Sequence, residues 1–200
     1  MCGNGVFADL AIFSFHPVKH IACGEGGMVT TNNKELYEKL LLLRTHGISK
    51  DPINMHENHG GWYYEMLELG YNYRLTDIQC ALGISQLSRA DEGFSRRQDI
   101  AKHYDKAFSD SPVNCIVPPS IAVGHAYHLY VIQVNNRKNL YDTLRQKGIY
   151  AQIHYVPVHL MPYYQKLGNR KGSMPLAETY YEKCISLPMY PGLTEDDQQY

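Results

Sequence analysis

The sequence predicts an α/β protein, and three patterns support that prediction. Apolar residues alternate with Ser14 over residues 8–15, which indicates a strand ahead of a glycine turn. Apolar residues recur at helical spacing over residues 34–45, 75–87 and 92–108. A strand, a helix and a second strand then follow one another over residues 127–134, 139–146 and 149–155. Chains that mix these elements bury the apolar faces of their helices against sheets.

Composition and charge argue against several classes of protein. The chain has 200 residues, 44% of them hydrophobic and 20% charged, as in an ordinary globular protein. Its formal net charge of −1 offers no electrostatic case for binding nucleic acid. No apolar run is long enough to predict a membrane span, and residues 1–9 lack the features of a secretory signal. The five scattered cysteines form no C-x-x-C pair, so we expect reduced thiols in a cytoplasm.

The patterns also predict how the chain is organised. A change of domain is expected between residues 90 and 110, and further elements are a strand over 28–31, a helix over 176–183 and a strand over 185–188. The first strand has no upstream partner strand, and a helix start at Thr194 is followed by a single turn. We therefore expect both ends to be those of a fragment of a longer protein.

The first motif with a chemical interpretation comprises residues 13–19, Phe-Ser-Phe-His-Pro-Val-Lys, followed by Gly-Glu-Gly-Gly at 24–27. A lysine directly after a buried strand is poorly solvated, which favours the nucleophilic amine that a Schiff base with an aldehyde cofactor needs. Ser14 could bond a phosphate, and the glycines would let a ligand approach the backbone. The alternative is a surface lysine, Lys19, beside an ordinary glycine hairpin.

Two further segments carry candidate site residues. Asn72 and Arg74 lie just before a predicted helix N-terminus, which is a natural place for an anion, although a helix cap with a solvated arginine is the alternative. Alternation over residues 149–155 places Gln152 and His154 on one face of a strand. His154 and His159 could suggest a metal, but no third ligand is in view. A structural or hydrogen-bonding role is therefore favoured for both, and no metal is expected.

The lysine motif resembles the active-site segment of a known family. The two strings, in this order and separation, resemble those of the sugar-nucleotide aminotransferases, the DegT/DnrJ/EryC1/StrS group of fold type I pyridoxal 5'-phosphate (PLP) enzymes. The resemblance extends from Ala8 to the end of the chain. It implies that Lys19 is the Schiff-base lysine and that Ser14 holds the PLP phosphate.

The resemblance also implies partners for the chain. Residues 70–74, Gly-Tyr-Asn-Tyr-Arg, are similar to a family segment whose asparagine binds the PLP phosphate of the neighbouring subunit. Asn72 therefore implies a homodimer with shared active sites. Gln152, His154 and Tyr155, together with Arg74, are carried over as substrate-binding candidates.

The substrate and the domain roles follow from the same resemblance. Residues 64–87 and 186–191 resemble the pseudaminic-acid pathway enzymes, which aminate C4 of a UDP-linked 4-keto-6-deoxy-N-acetylhexosamine with nitrogen from glutamate. The implied fold is the C-terminal half of a fold type I aminotransferase. Residues 1–95 would complete the large mixed-sheet, PLP-binding domain, and residues 96–200 would form a small α/β domain truncated at its end.

Members of the family are much longer than this chain. Their N-terminal half should hold the backbone amides around the phosphate, the aromatic residue that stacks on the ring and the carboxylate that pairs with the pyridine nitrogen. We therefore expect the isolated chain to be inactive. Two other hypotheses are a non-catalytic or regulatory remnant of the family, and a small-molecule binding module that uses the glycine turn.

Overall fold

The computed structural model describes residues 3–116 and 123–200, and its contacts divide the chain into two compact units, Met1–Ala90 and Asp91–Tyr200. In the first unit, two antiparallel strand pairs accompany two helices. These elements are β1 (Ala11–Ser14), β2 (Gly27–Thr30), α1 (Lys34–Arg44), β3 (Ile48–Ser49), β4 (Glu65–Met66) and α2 (Asp77–Leu87). β1 pairs with β2, and β3 pairs with β4.

The second unit is built on an antiparallel sheet in which β6 lies between β5 and β7. Its helix α3 (Ala90–Phe108) begins at the last residue of the first unit. The other elements are β5 (Asn114–Cys115), β6 (Tyr130–Gln133), α4 (Arg137–Gln146), a 3₁₀ turn (Val158–Leu160), α5 (Pro162–Gln165), α6 (Pro175–Lys183), β7 (Cys184–Leu187) and α7 (Glu195–Gln199). None of the helices within the described residues is long and apolar enough to cross a membrane.

The predicted helices are confirmed, whereas one predicted strand is wrong. Residues 149–155 form no named strand, and only Gln152 makes a single antiparallel bridge, to Ser186 on β7. Alternation predicts which face a side chain occupies, but pairing also requires a partner backbone of sufficient length. β7 has four residues and is followed by Pro188, which lacks an N–H group, so it offers few positions for pairing.

The core cluster of buried side chains lies in the second unit. Helix α3 buries residues 97, 100, 101 and 104, the spacing that places side chains on one face of a helix. Ile100 and Ile185 are fully buried, and Leu193 joins them in the same cluster. Among the described residues of the first unit, Cys23 is the only buried hydrophobic side chain. Cys2 lies outside the described residues, and Cys23, Cys80, Cys115 and Cys184 are free thiols.

Two leucines of the second unit provide a matched test of this core. We expect Leu193→Ala to lower the free energy of unfolding by about 2–5 kcal/mol, because it leaves a cavity in the cluster. Leu176→Ala should change it by less than about 0.5 kcal/mol, because that side chain on α6 is 86% exposed. Urea unfolding followed by far-ultraviolet circular dichroism measures both values. Equal effects of the two substitutions would contradict the assigned core.

Candidate active site

Lys19 lies in the connection between β1 and β2, which runs through residues 15–26. The connection is closed at its base, because the Phe15 N–H donates to the Gly26 carbonyl at 2.9 Å and the Cys23 N–H donates to the Phe15 carbonyl at 2.9 Å. Within it, the Lys19 N–H donates to the His16 carbonyl at 2.9 Å. The tight glycine hairpin expected from the sequence is therefore the end of a longer ordered loop, here called the lysine loop (residues 15–26).

Close packing holds the lysine loop against α2 and the segment just before it. The Cys23 side chain is 3% exposed and lies on Gly83, where an added Cβ would come within 2.8 Å of the Cys23 sulfur. Gly26 has a φ of +135°, and a Cβ there would lie 2.5 Å from the Leu75 side chain. An added Cβ at either position would therefore force a neighbouring side chain to shift, and the backbone conformation of Gly26 independently favours glycine.

The cap of α2 makes a third attachment to the lysine loop. Thr76 caps the helix, with its hydroxyl accepting the Gln79 N–H and the Gln79 side chain accepting the Thr76 N–H. The same Gln79 side chain donates to the Glu25 carbonyl at 3.2 Å. One residue thus joins the start of the helix to the glycine turn.

The side chains of Ser14 and Lys19 are more accessible than the sequence suggested. β1 alternates between half-buried and exposed residues, so the expectation of a buried strand is wrong for the described residues. The strand pairs with β2 alone, which leaves Ile12 82% exposed. Ser14 is exposed and its hydroxyl accepts the His16 N–H at 3.4 Å, while Lys19 is half-buried.

Asn72 belongs to a segment that is bonded to the end of α1. It forms an antiparallel bridge with Thr45, and the Tyr73 N–H donates to the Arg44 carbonyl at 3.0 Å. Asn72 and Arg74 are exposed, and their side chains make no hydrogen bond within the described residues. Because Thr76 caps α2, neither residue is needed as the cap.

The second unit gathers two of the predicted site residues at Ser186. Gln152 and Ser186 exchange two backbone hydrogen bonds, of 3.1 and 2.7 Å. Nδ1 of His154 lies 2.8 Å from the Ser186 hydroxyl, and burial lowers the pKa of His154. Tyr155 is exposed and lies edge-on to the His154 ring, with 4.6 Å between the ring centroids. The predicted site residues thus fall into two groups, one in each unit.

A buried pair of His159 and Glu178 was not predicted. Nε2 of His159 donates to the Glu178 carboxylate at 2.8 Å, and that carboxylate also accepts the N–H groups of Gly172 and Met174. The hydrogen bond from His159, against the opposing effect of desolvation, lowers the pKa of Glu178. The hydrogen-bonding role expected of His154 and His159 is confirmed, but no local pattern indicates partners this distant in sequence.

Comparison with known proteins identifies the family. The chain matches the family model of the DegT/DnrJ/EryC1/StrS aminotransferases over residues 3–200. The chain belongs to this family. The spore coat polysaccharide biosynthesis protein SpsC of Bacillus subtilis is 41% identical over 202 residues, covering 96% of this chain and 52% of SpsC. A UDP-4-amino-4,6-dideoxy-N-acetyl-beta-L-altrosamine transaminase of Campylobacter jejuni is 38% identical, covering 98% of this chain and 51% of that enzyme.

Solved structures of the DegT/DnrJ/EryC1/StrS family share the fold. Helicobacter pylori PseC, an aminotransferase involved in the biosynthesis of pseudoaminic acid, matches with a TM-score of 0.87 at 36% identity, covering 98% of this chain and 52% of PseC. A sugar aminotransferase of Streptococcus pneumoniae, Spr1654, has been solved in a PMP form, with a TM-score of 0.88 at 30% identity covering 98% of this chain and 52% of that chain, and also in a PLP form. The family is therefore PLP-dependent, and the fold is that of about half of such an aminotransferase. The chain spans about half the length of the curated relatives it matches.

The His159–Glu178 pair predicts a dependence of stability on pH. The folded-state pKa of Glu178 lies below its ordinary value of 4.5, so Glu178 takes up its proton at a higher pH in the unfolded chain than in the folded chain. The stabilisation that the ionised Glu178 gives the folded chain is therefore complete above pH 4.5 and is lost as the pH falls below that value. We expect Glu178→Gln to be less stable than the wild type at about pH 7, and to lose less stability between about pH 5 and pH 3.

Urea unfolding across that range measures both effects. Glu182→Gln is the matched control, because Glu182 is an exposed glutamate one turn further along α6. A Glu178→Gln variant with the same pH dependence as the wild type would contradict the role assigned to the pair.

Proposed function

We propose that this chain supplies the cofactor lysine of a PLP-dependent aminotransferase that aminates a UDP-linked 4-keto-6-deoxy sugar, with glutamate as the amino donor. The product belongs to the biosynthesis of a cell-surface amino sugar of the pseudaminic-acid type. The observation that carries the proposal is the position of Lys19 on an ordered loop that is attached at three points to α2 and to the segment just before it. That arrangement holds the backbone that bears the amine.

The donor set of the first unit fits PLP. When bound, PLP supplies an aldehyde that condenses with amines and a ring that accepts electrons. Its phosphate requires hydrogen-bond donors, and the exposed Ser14 hydroxyl stands at the end of β1, where the lysine loop begins. Lys19 offers the primary amine within that loop. A hydroxyl at the end of the strand and an amine in the loop that follows it complement an anionic aldehyde.

Lys19 has two roles in the proposed reaction. Its Nζ atom would hold the aldehyde of PLP in the resting enzyme, and when free it would take up the proton from Cα of the amino donor. The protonated amine would then return a proton during amination of the keto sugar. An amine held on a fixed backbone can serve at both stages because it remains close to the reacting atoms.

Asn72 supports a proposal about assembly. Its side chain is exposed and makes no hydrogen bond within residues 3–116, although its backbone is bonded to the end of α1. A fixed backbone with an available amide is suited to donate to a phosphate outside its own unit. We propose that Asn72 binds the PLP phosphate of a partner subunit, in a homodimer with shared active sites.

Four residues are proposed to contact the nucleotide sugar: Gln152, His154, Tyr155 and Arg74. Neutral amide, imidazole and phenol groups suit a hydroxyl-rich sugar, and an arginine suits a diphosphate. SpsC, at 41% identity, acts in spore coat polysaccharide biosynthesis, and the Campylobacter jejuni enzyme, at 38%, is a UDP-amino-sugar transaminase. The first name supports a surface saccharide, and the second supports a UDP-linked amino sugar. The four free thiols among the described residues are compatible with the cytoplasm as the proposed location.

The domain roles complete the proposal. Residues 1–95 would belong to the PLP-binding domain and residues 96–200 to the small domain, and the 200-residue chain alone would show no transaminase turnover. Assaying the purified chain with glutamate and a UDP-linked 4-keto-6-deoxy-N-acetylhexosamine tests this last point. Turnover by the chain alone would contradict it.

Labelling with PLP tests the assignment of Lys19. After addition of PLP and reduction with borohydride, we expect peptide mapping of the wild-type chain to show the label mainly on Lys19. Lys19→Ala should lose that label together with the yellow colour. Lys34→Ala is the matched control and should keep both, because the Lys34 side chain is 85% exposed on α1. Unchanged colour and labelling in Lys19→Ala would refute the assignment.

Substitution of Ser14 tests the phosphate contact. We expect Ser14→Ala to raise the dissociation constant for PLP by about tenfold or more, because a hydrogen bond to a charged group contributes about 1.5–3 kcal/mol. Ser14→Thr retains the hydroxyl and should bind PLP nearly as the wild type does. Titration of the visible absorption band gives both constants. Equal affinities for the alanine variant and the wild type would exclude a contact with the phosphate.

A further inference from the structure

The hydroxyl of Ser186 is buried and has a single partner. Ser186 is 4% exposed on β7, where its backbone pairs with Val131 on one side and with Gln152 on the other. Successive side chains of a strand point to opposite faces, so Ser186 points away from Ile185, which belongs to the core. Within the described residues, its hydroxyl makes one hydrogen bond, to Nδ1 of His154 at 2.8 Å.

Burial decides which of the two groups donates. A serine hydroxyl carries one proton, and burying that proton without an acceptor is unfavourable because its hydrogen bond to water is lost without replacement. If Nδ1 of His154 donated to Ser186, the hydroxyl proton would have no acceptor among the described residues. The hydroxyl therefore donates, and Nδ1 must be the unprotonated nitrogen.

We propose that Ser186 is a positioning residue that holds His154 in the tautomer with its proton on Nε2, so that His154 presents an N–H donor to a ligand. In a neutral imidazole, the hydrogen bond at one nitrogen sets the state of the other. Burial also lowers the pKa of His154, which keeps the ring neutral near pH 7. Nε2 makes no hydrogen bond within the described residues, and the ring is half-buried, so this donor is available to a ligand.

Backbone hydrogen bonds hold the segment that carries His154 beside Ser186. The two hydrogen bonds between Gln152 and Ser186 fix the segment that leads to His154 with respect to β7. The imidazole is then oriented by Ser186 at Nδ1 and contacted at its edge by Tyr155. The ligand atom that this geometry recognises is an acceptor oxygen, which a sugar hydroxyl, a carbonyl or a phosphate could provide. The identification of that ligand as the nucleotide sugar rests on the proposed function, whereas the inferred tautomer of His154 is independent of it.

Nitrogen NMR of the chain labelled at its histidines measures the tautomer directly, without cofactor or substrate. The signals of His154 are those that disappear in His154→Gln. We expect the wild type near pH 7 to show a protonated Nε2 and an unprotonated, hydrogen-bonded Nδ1. A proton on Nδ1 would overturn the proposal. Since no ligand is present, failure here is distinct from failure of the proposed function, which the labelling of Lys19 tests.

Two variants test whether Ser186 is the cause. Ser186→Ala should introduce the second tautomer, which moves the averaged Nδ1 and Nε2 signals towards each other, because the donor that fixes the tautomer is lost. Ser186→Thr retains the hydroxyl and should restore the wild-type pattern. An alanine variant with unchanged His154 signals would overturn the role of Ser186. The wild-type spectrum decides the tautomer even if the alanine variant fails to fold.

Discussion

The attachment of the lysine loop to α2 and to the segment just before it is the constraint on which the proposed chemistry depends. Cys23 packs on Gly83, Gly26 packs on Leu75, and Gln79 bonds the Glu25 carbonyl. An added Cβ at Gly83 or Gly26 would force the Cys23 or Leu75 side chain to shift, and the positive φ of Gly26 independently favours glycine there. A flexible loop would leave the amine of Lys19 without a defined position, and catalysis by a single amine requires one.

The two units differ in how they bury apolar surface. In the second unit, the core of α3, β6 and β7 is reinforced by Arg97, which is 6% exposed and donates to the carbonyls of Tyr127 and Met189. Those bonds satisfy a buried cation while they hold three distant segments together. In the first unit, strands and helices are held chiefly by backbone pairing and caps, and side chains such as Ile78 and Trp62 are largely exposed.

The two histidines of the second unit that were singled out in the sequence, His154 and His159, differ in the kind of hydrogen bond that they make. Ser186 bonds His154, whereas His159 bonds the carboxylate of Glu178. The two histidines are five positions apart in the sequence but have different partners and exposures. His159 is buried and committed to Glu178, while His154 keeps one ring nitrogen available. This difference makes His154 the better candidate for contact with a ligand.

Local patterns in the sequence determined the helices and the order of the strands, because these features depend on residues within a few positions of one another. The motif around Lys19 likewise indicated the family, because its residues are consecutive. Only the tertiary structure decided the exposure of β1, the reduction of residues 149–155 to one bridge, and the partners of Cys23, Glu178 and Ser186. These depend on contacts between residues far apart in the chain, and no periodic pattern specifies which distant group fills a given space.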